Sequence, residues 1–365
     1  MQRHRNKSPL TLDIGPLMDN QWTGIPVFTR RLAQALIRNG QLDLTFACNL
    51  VRVPEVLALD AMRIGSGAYF FSEFEAEALR APEVVDPDAP VLYCSNKGRC
   101  SGLLAREAST VHDMTTLFMP DTHDEANIAH HLDHLEAELM TDEAIFCISE
   151  ATRASLIAAS PSVKRRIRLL PQYVDWPDSF DTIDRNLPPL SPRPYALVIG
   201  TIEPRKNLGL LIDALVEPSV AANPLAFIVL GKKGWLVDDF IAKLPPLARA
   251  RIAFTGFVSE FVKFRLLKNA QFLIFPSLCE GFGIPALEAM SLGKPVLAAR
   301  SSSLPEVIGD AGVYFDPLSI SEFAAALTEI SDSRKRVELA PKALKREREF
   351  TPERMAAPVV AWAKG

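Results

Sequence analysis

Eleven short strand-like runs punctuate this chain, most of them apolar from end to end, with helical patterns between many of them. They fall at residues 10–14, 42–47, 91–94, 109–112, 144–148 and 167–170, then at 195–199, 226–230, 252–254, 272–275 and 295–298. A strand that alternates apolar and polar residues has one wet face, whereas a continuously apolar strand is covered on both. Such runs separated by helices predict parallel sheets clad by helices, a doubly wound α/β architecture, here repeated twice. Residues 171–194 lie between the repeats and hold Pro171, Pro177, Pro188, Pro189, Pro192 and Pro194 among Asp and Ser, which predicts a surface linker.

At 365 residues the chain has room for two domains. The expected division is 1–180, 190–348 and a terminal segment 349–365, where Thr351 as N-cap and Pro352 at the first helical position begin a last helix. Two parallel-sheet domains joined in this way would face each other across a cleft at their strand ends, where ligands bind in this architecture.

Composition narrows the function classes. Apolar residues make up 48% and charged residues 23%, as in a soluble globular protein, and the net charge of −4 gives no reason to expect nucleic acid. Residues 1–180 sum to −7 and residues 181–365 to +3, a weak bias towards an anionic ligand on the second half. Cys48, Cys94, Cys100, Cys147 and Cys279 form no C-x-x-C pair and read as free thiols of a reducing compartment. The basic start, Met1 to Lys7, is followed by no long apolar segment, so the expectation is a cytoplasmic protein that touches at most a membrane surface.

The densest chemistry lies in Pro276-Ser277-Leu278-Cys279-Glu280-Gly281-Phe282-Gly283-Ile284-Pro285-Ala286-Leu287-Glu288. A helix opening near Pro285 presents backbone N–H groups and a positive dipole end, and the glycines allow close approach of a ligand. Amides for phosphate are thus flanked by two carboxylates, Glu280 and Glu288, for hydroxyls at either end of a ligand. That layout suits a nucleotide sugar. Gly200-Thr201-Ile202-Glu203-Pro204-Arg205-Lys206-Asn207 follows the first strand of the second series and offers two cations facing the same side as Glu280, with Asn207 expected as a helix N-cap. His112, at the end of a first-domain strand, is able to bond a sugar hydroxyl or move a proton near neutral pH. His130 and His134 sit four apart in an expected helix over 128–139, but a solvated polar face is the preferred reading over a metal site.

The spacing of Glu280 and Glu288 resembles the E-x7-E motif of retaining glycosyltransferases of the two-domain GT-B type, family 4 (group 1). The segment Arg205-Lys206-Asn207 resembles that family's cationic donor loop, and Val111-His112-Asp113 its histidine–aspartate pair. Phe118-Met119-Pro120-Asp121-Thr122-His123 and Ser149-Glu150-Ala151-Thr152 are similar to further family segments. The resemblance implies two Rossmann-like domains, with the last helix crossing back to the first. It implies that Arg205 and Lys206, with the amides of Gly281, Phe282, Gly283 and Ile284, hold a diphosphate, that Glu288 takes ribose hydroxyls, and that Glu280, with His112 and Asp113, faces the hexose. Gln21-Trp22-Thr23-Gly24-Ile25-Pro26 resembles the family's glycine loop and offers Gly24, but Ile25 and Pro26 depart from the usual continuation. Ser301-Ser302-Ser303-Leu304-Pro305-Glu306 stands where the family has a Gly-Gly-x-x-Glu segment, and Glu306 is expected to serve a helix first turn.

The implied activity is transfer of a hexose to a lipid-linked saccharide in lipopolysaccharide or exopolysaccharide assembly, with GDP-mannose as the first choice of substrate and no metal or other cofactor. A UDP-sugar donor, or an inactive saccharide-binding scaffold, stays open. Peripheral contact with the inner leaflet would use residues 1–7 and Lys243, Arg249, Arg251, Lys263, Arg265 and Lys268, equally read as solvated surface. A dehydrogenase is disfavoured because no G-x-G-x-x-G follows the first strand.

Overall fold

The computed structural model describes residues 7–80, 83–188, 190–191, 193–234, 241 and 244–365. Residues 1–6, Pro189, Pro192 and Lys243, all invoked above, lie outside the described residues. The chain divides into two compact units, Met1–Tyr173 with Phe350–Gly365, and Val174–Glu349.

In the first unit the strands are β1 (Ser8–Asp13), β2 (Leu42–Cys48), β3 (Val51–Val53), β4 (Val91–Tyr93), β5 (Glu107–Val111), β6 (Ala144–Cys147) and β7 (Ile167–Leu169). They form one sheet in the order β3-β2-β1-β4-β5-β6-β7, parallel except for β3. The second unit holds β8 (Tyr195–Ile199), β9 (Ala226–Leu230), β10 (Ile252–Gly256), β11 (Leu273–Phe275), β12 (Val296–Ala299) and β13 (Gly312–Phe315), parallel throughout, in the order β10-β9-β8-β11-β12-β13. Counted within the unit, that order is 3-2-1-4-5-6, the Rossmann arrangement, which reverses between β8 and β11. All eleven apolar runs are strands, their ends within about two residues of the expected ones. The runs did not reveal β3 and β13.

The first helix of unit one, Gly24–Asn39, buries Phe28, Leu32, Ala35 and Leu36, one stripe at helical spacing, and ends on Gly40 in the left-handed conformation. The terminal helix Pro352–Ala363 is capped by the Thr351 side chain and packs on Gly24–Asn39. Its Trp362 meets Phe146 edge-on at 5.9 Å, and its carbonyl accepts a bond from Arg106 at 2.9 Å.

The proline-rich stretch is not all loop, because it contains the helix Ser179–Arg185. Asp184 of that helix bonds Arg265 Nε at 2.6 Å, and both Asp181 and Asp184 pair with Lys268. Trp176 and Phe180 pack on Phe264. These contacts join residues 174–180, expected in the first domain, to the second unit. The expected helix over 128–139 is interrupted: Glu125–Leu132 ends, and Leu135–Thr141 begins after His134. His130 and His134 therefore do not share one helical face.

Candidate functional site

The strand-order reversal in the second unit fixes where its polar side chains gather. Because β8 and β11 are neighbours, the loops after them, residues 200–207 and 276–283, lie side by side, tied by Leu278 N–H to Arg205 O at 2.9 Å. This is the position at which open parallel sheets bind ligands. Lys206 Nζ is 2.6 Å from Glu280 Oε1, and Arg205 Nη1 is 3.4 Å from Glu280 Oε2. Arg205 is itself anchored to Cys279 O at 2.8 Å and to Glu203 Oε1 at 2.7 Å. The lysine stem lies over Gly200, where a Cβ would meet Lys206 Cε at 3.2 Å, and its ammonium faces the Phe275 ring.

Glu280 is 8% exposed and lies five residues beyond the end of β11, in the loop rather than on the strand. Burial pushes its carboxyl up, but Lys206 and Arg205 outweigh that and hold it below its ordinary value. The site is thus an ionised carboxylate under two cations. Two serines fix its backbone and a third ties the start of its loop. Glu280 N–H donates to Ser302 Oγ at 2.7 Å, Ser303 Oγ donates to Glu280 O at 2.9 Å, and Ser301 Oγ donates to Ser277 O at 2.7 Å. This is what the hydroxyls do in a loop where glycine was the expected residue.

Gly283 caps the helix Ile284–Ser291 with φ of +98°, and a Cβ there would stand 2.8 Å from Leu304 Cδ2. Ala286 N–H already bonds Gly283 O at 2.9 Å, so the amides of Gly283 and Ile284 precede the helix's own ladder. Phe282 is buried at 3% exposure. Glu288 falls one turn into the helix, 1% exposed, with Lys263 Nζ 2.7 Å from its Oε1.

Asn207 differs from expectation. It adopts φ of +54°, its side chain caps nothing, and its amide instead donates to Pro276 O and Pro317 O at 3.2 and 2.8 Å. A capping residue typically has extended backbone, which this left-handed residue lacks. Glu306 lies in the first turn of Leu304–Ile308.

In the first unit, His112 follows β5 and Asp13 ends β1. His112 Nε2 lies 2.8 Å from Cys94 O. A carbonyl only accepts, so Nε2 carries the proton and Nδ1 is the acceptor of the neutral ring. Burial pushes the imidazole down, and although Cys94 and Asp113 favour the charged form, it stays below its ordinary value. The Phe28 ring meets it edge-on at 4.8 Å, which brings His112 beside the helix that Gly24 begins. Thr152 Oγ1 donates to His112 O at 3.0 Å, and Ser149 caps the helix Glu150–Ala159 as expected.

Asp113 and His123 serve local order. Asp113 Oδ1 accepts from Thr115 N and Oγ1 at 2.9 and 2.6 Å, His123 Nε2 lies 2.9 Å from the same hydroxyl, and Asn127 Nδ2 lies 3.1 Å from His123 Nδ1. One consistent direction of donation runs Asn127, His123, Thr115, Asp113. Asp13 was not singled out by its sequence position. It is 9% exposed, both its oxygens accept backbone N–H groups, from Gly15 and Asn49, and burial pushes it up to about 6.

Most of the cations named as a membrane-facing set are engaged within the second unit. Arg251 donates to the carbonyls of Val220, Asn223 and Leu225, Arg249 to Leu244 O, Arg265 to Asp184 and Lys268 to Asp181. Arg265 is buried, whereas Arg249 stays exposed. Among the described residues, no group of three or more His, Cys, Asp or Glu is arranged to hold a metal ion, and no helix is long and apolar enough to cross a membrane.

Two Rossmann-like parallel-sheet units, the second with its polar cluster at the β8–β11 switch, define the GT-B glycosyltransferase fold. Sucrose-phosphate synthase from Thermosynechococcus elongatus superposes with a TM-score of 0.70 at 18% identity, covering 98% of each chain. Anabaena Alr3699/HepE, solved with UDP and glucose, does so with a TM-score of 0.66 at 16% identity, covering 97% of this chain and 98% of that one. Residues 193–333 match the family described as glycosyl transferases group 1. The O-antigen chain mannosyltransferase B of Escherichia coli is 30% identical over 234 residues, 62% of this chain and 61% of that protein, so the match spans less than two thirds of this relative's length.

Proposed function

We propose that this protein is a retaining glycosyltransferase that moves a hexose from a nucleotide-diphosphate sugar to a saccharide hydroxyl, with mannose from GDP-mannose as the first choice. The observation that carries the reading is the placement of Arg205 and Lys206 on the buried Glu280 at the strand-order switch. Two fixed cations are the requirement for a leaving diphosphate, and preorganised charge in a water-poor site is worth more than in solution. Lys206, with three donors, is able to keep Glu280 while it bonds phosphate oxygen.

In this reading the acceptor oxygen bonds to the sugar's anomeric carbon as the bond from that carbon to the phosphate oxygen breaks. The acceptor proton passes to the departing phosphate oxygen, so no protein base is needed. Glu280 orients hexose hydroxyls, Glu288 accepts from the ribose diol, and residues 281–284 supply amides. His112 Nδ1 accepts a hydrogen bond from a sugar hydroxyl, which keeps its proton. Arg205 and Lys206 do the charge neutralisation that a divalent metal would otherwise do. The name of the Escherichia coli relative supports mannose and O-antigen (lipopolysaccharide) synthesis; a lipid-linked saccharide acceptor at the inner leaflet is part of the same proposal and does not follow from that name. A UDP-sugar donor is the second reading, favoured by the UDP and glucose held by the Anabaena protein of like fold.

The test is proton NMR of the product formed from GDP-mannose and a mannose-terminated saccharide. The expected product keeps the donor's anomeric configuration. The opposite configuration would overturn the retaining mechanism, and failure of both GDP- and UDP-sugars to release nucleotide would overturn the activity.

A further inference from the structure

Glu288 is a carboxylate in the body of a helix with 1% exposure, and a charge that deeply placed needs a partner. The partner comes from another helix, Glu260–Asn269, whose Lys263 puts Nζ 2.7 Å from Glu288 Oε1. Lys263 is fixed from its other side, with its ammonium 5.4 Å from the centre of the Trp176 ring. Trp176 Nε1 donates to Ser291 Oγ at 2.9 Å, and Ser291 Oγ donates to Glu288 O at 2.8 Å. The contacts therefore close a ring, from the Glu288 carboxylate through Lys263, Trp176 and Ser291 back to the Glu288 backbone.

We infer that Lys263 is a positioning residue for nucleotide recognition, acting through Glu288; the inference rests on the reading of Glu288 as the acceptor of ribose hydroxyls. A carboxylate has about four acceptor positions, and the ammonium takes one of them. By doing so it compensates the buried carboxylate and holds its plane in one orientation. A carboxylate turned out of that orientation would meet a diol less well. Because Glu288 is assigned to the ribose, remote from the bond that breaks, the effect belongs to donor affinity rather than to the chemical step. Trp176 and Ser291 make the lysine's position a property of the folded unit.

The experiment is calorimetric titration of GDP, with UDP alongside, into wild type, Lys263→Met, Lys263→Arg, Glu288→Gln and the double variant Lys263→Met/Glu288→Gln, with melting temperatures recorded. Lys263→Met is expected to raise Kd about tenfold with kcat within about threefold of wild type, and Lys263→Arg to restore most of the affinity. In the Glu288→Gln background, Lys263→Met should add less than about twofold, the non-additivity of a residue that works through its neighbour. Wild-type Kd in Lys263→Met, or an effect of equal size in both backgrounds, would overturn the inference. Wild-type affinity in Glu288→Gln would instead remove the underlying reading of Glu288. If Lys263→Met does not fold, Trp176→Leu, which frees the ammonium, carries the same comparison: a raised Kd that vanishes in the Glu288→Gln background supports the inference, and an unchanged Kd defeats it.

Discussion

Replacing Lys206 with Ala separates the chemistry of the cluster from its contribution to folding. The ammonium lies 2.6 Å from Glu280 Oε1, with side-chain exposures of 17% and 9%. Removing one member of a fully buried pair costs about 3–5 kcal/mol. Here Arg205 remains beside the other carboxylate oxygen at 3.4 Å and Lys206 is partly wet, so the expected loss of stability is about 1–2 kcal/mol. For a unit the size of Val174–Glu349 that corresponds to a fall in Tm of roughly 2–8 °C. Loss of one preorganised donor to charge developing in the transition state costs about 10²–10³ in kcat, or roughly 2.7–4 kcal/mol. Activity should therefore fall much further than stability. The assay is the initial rate of GDP release at saturating GDP-mannose, read beside a melting curve below which the variant stays folded. A kcat within about threefold of wild type would refute the assignment of Lys206 to the leaving diphosphate.

Three further outcomes follow from the geometry. Gly283→Ala places a methyl 2.8 Å from Leu304 Cδ2 on a backbone at φ of +98°, so it should cost about 1–3 kcal/mol and weaken nucleotide binding, as melting and calorimetry would report. Asp13 is held up at about 6 against an ordinary 3.8, so the folded unit keeps a proton at pH 5 that the unfolded chain has released. Its contribution to stability therefore falls as pH rises from about 4 to 6, by roughly 3 kcal/mol in all, and urea curves of Asp13→Asn should lack that slope. Excess EDTA should leave the rate of GDP release within about twofold, because Arg205 and Lys206 are assigned the metal's task; a rate abolished by EDTA and restored by Mg²⁺ would say otherwise.

What was legible in the chain, and what was not, has a physical basis. Runs such as Ala196-Leu197-Val198-Ile199 are apolar throughout because the strand is buried on both faces, and that leaves a mark in one dimension. β3 leaves none, being a three-residue edge, Val51-Arg52-Val53, with a charged residue at its centre. The helix Ser179–Arg185 was masked by the prolines around it and is held by Arg265 and Lys268, residues some 80 positions away. At the site, Arg205, Lys206, Glu280 and Glu288 were readable because they fall in two short glycine- and proline-marked segments, the second running into the helix Ile284–Ser291. The groups that hold them were not. Ser302 and Ser303 clasp Glu280 from 22 and 23 positions away, and Lys263 reaches Glu288 across 25. Those contacts exist only once β11, β12 and their helices are packed. A run of three hydroxyl residues straight after a buried strand was the available hint. Asn207 shows the opposite error, a residue of good capping type whose left-handed backbone gives it another task.

The central claim is that the second unit binds a nucleotide diphosphate through the cluster running from Arg205 to Glu288. Its most direct test is calorimetric titration of GDP, UDP, GDP-mannose and UDP-glucose into the wild-type protein and Glu288→Ala. The account predicts selective binding of GDP and GDP-mannose that is lost in the variant. Binding of none of the four, or binding unchanged in Glu288→Ala, would contradict it.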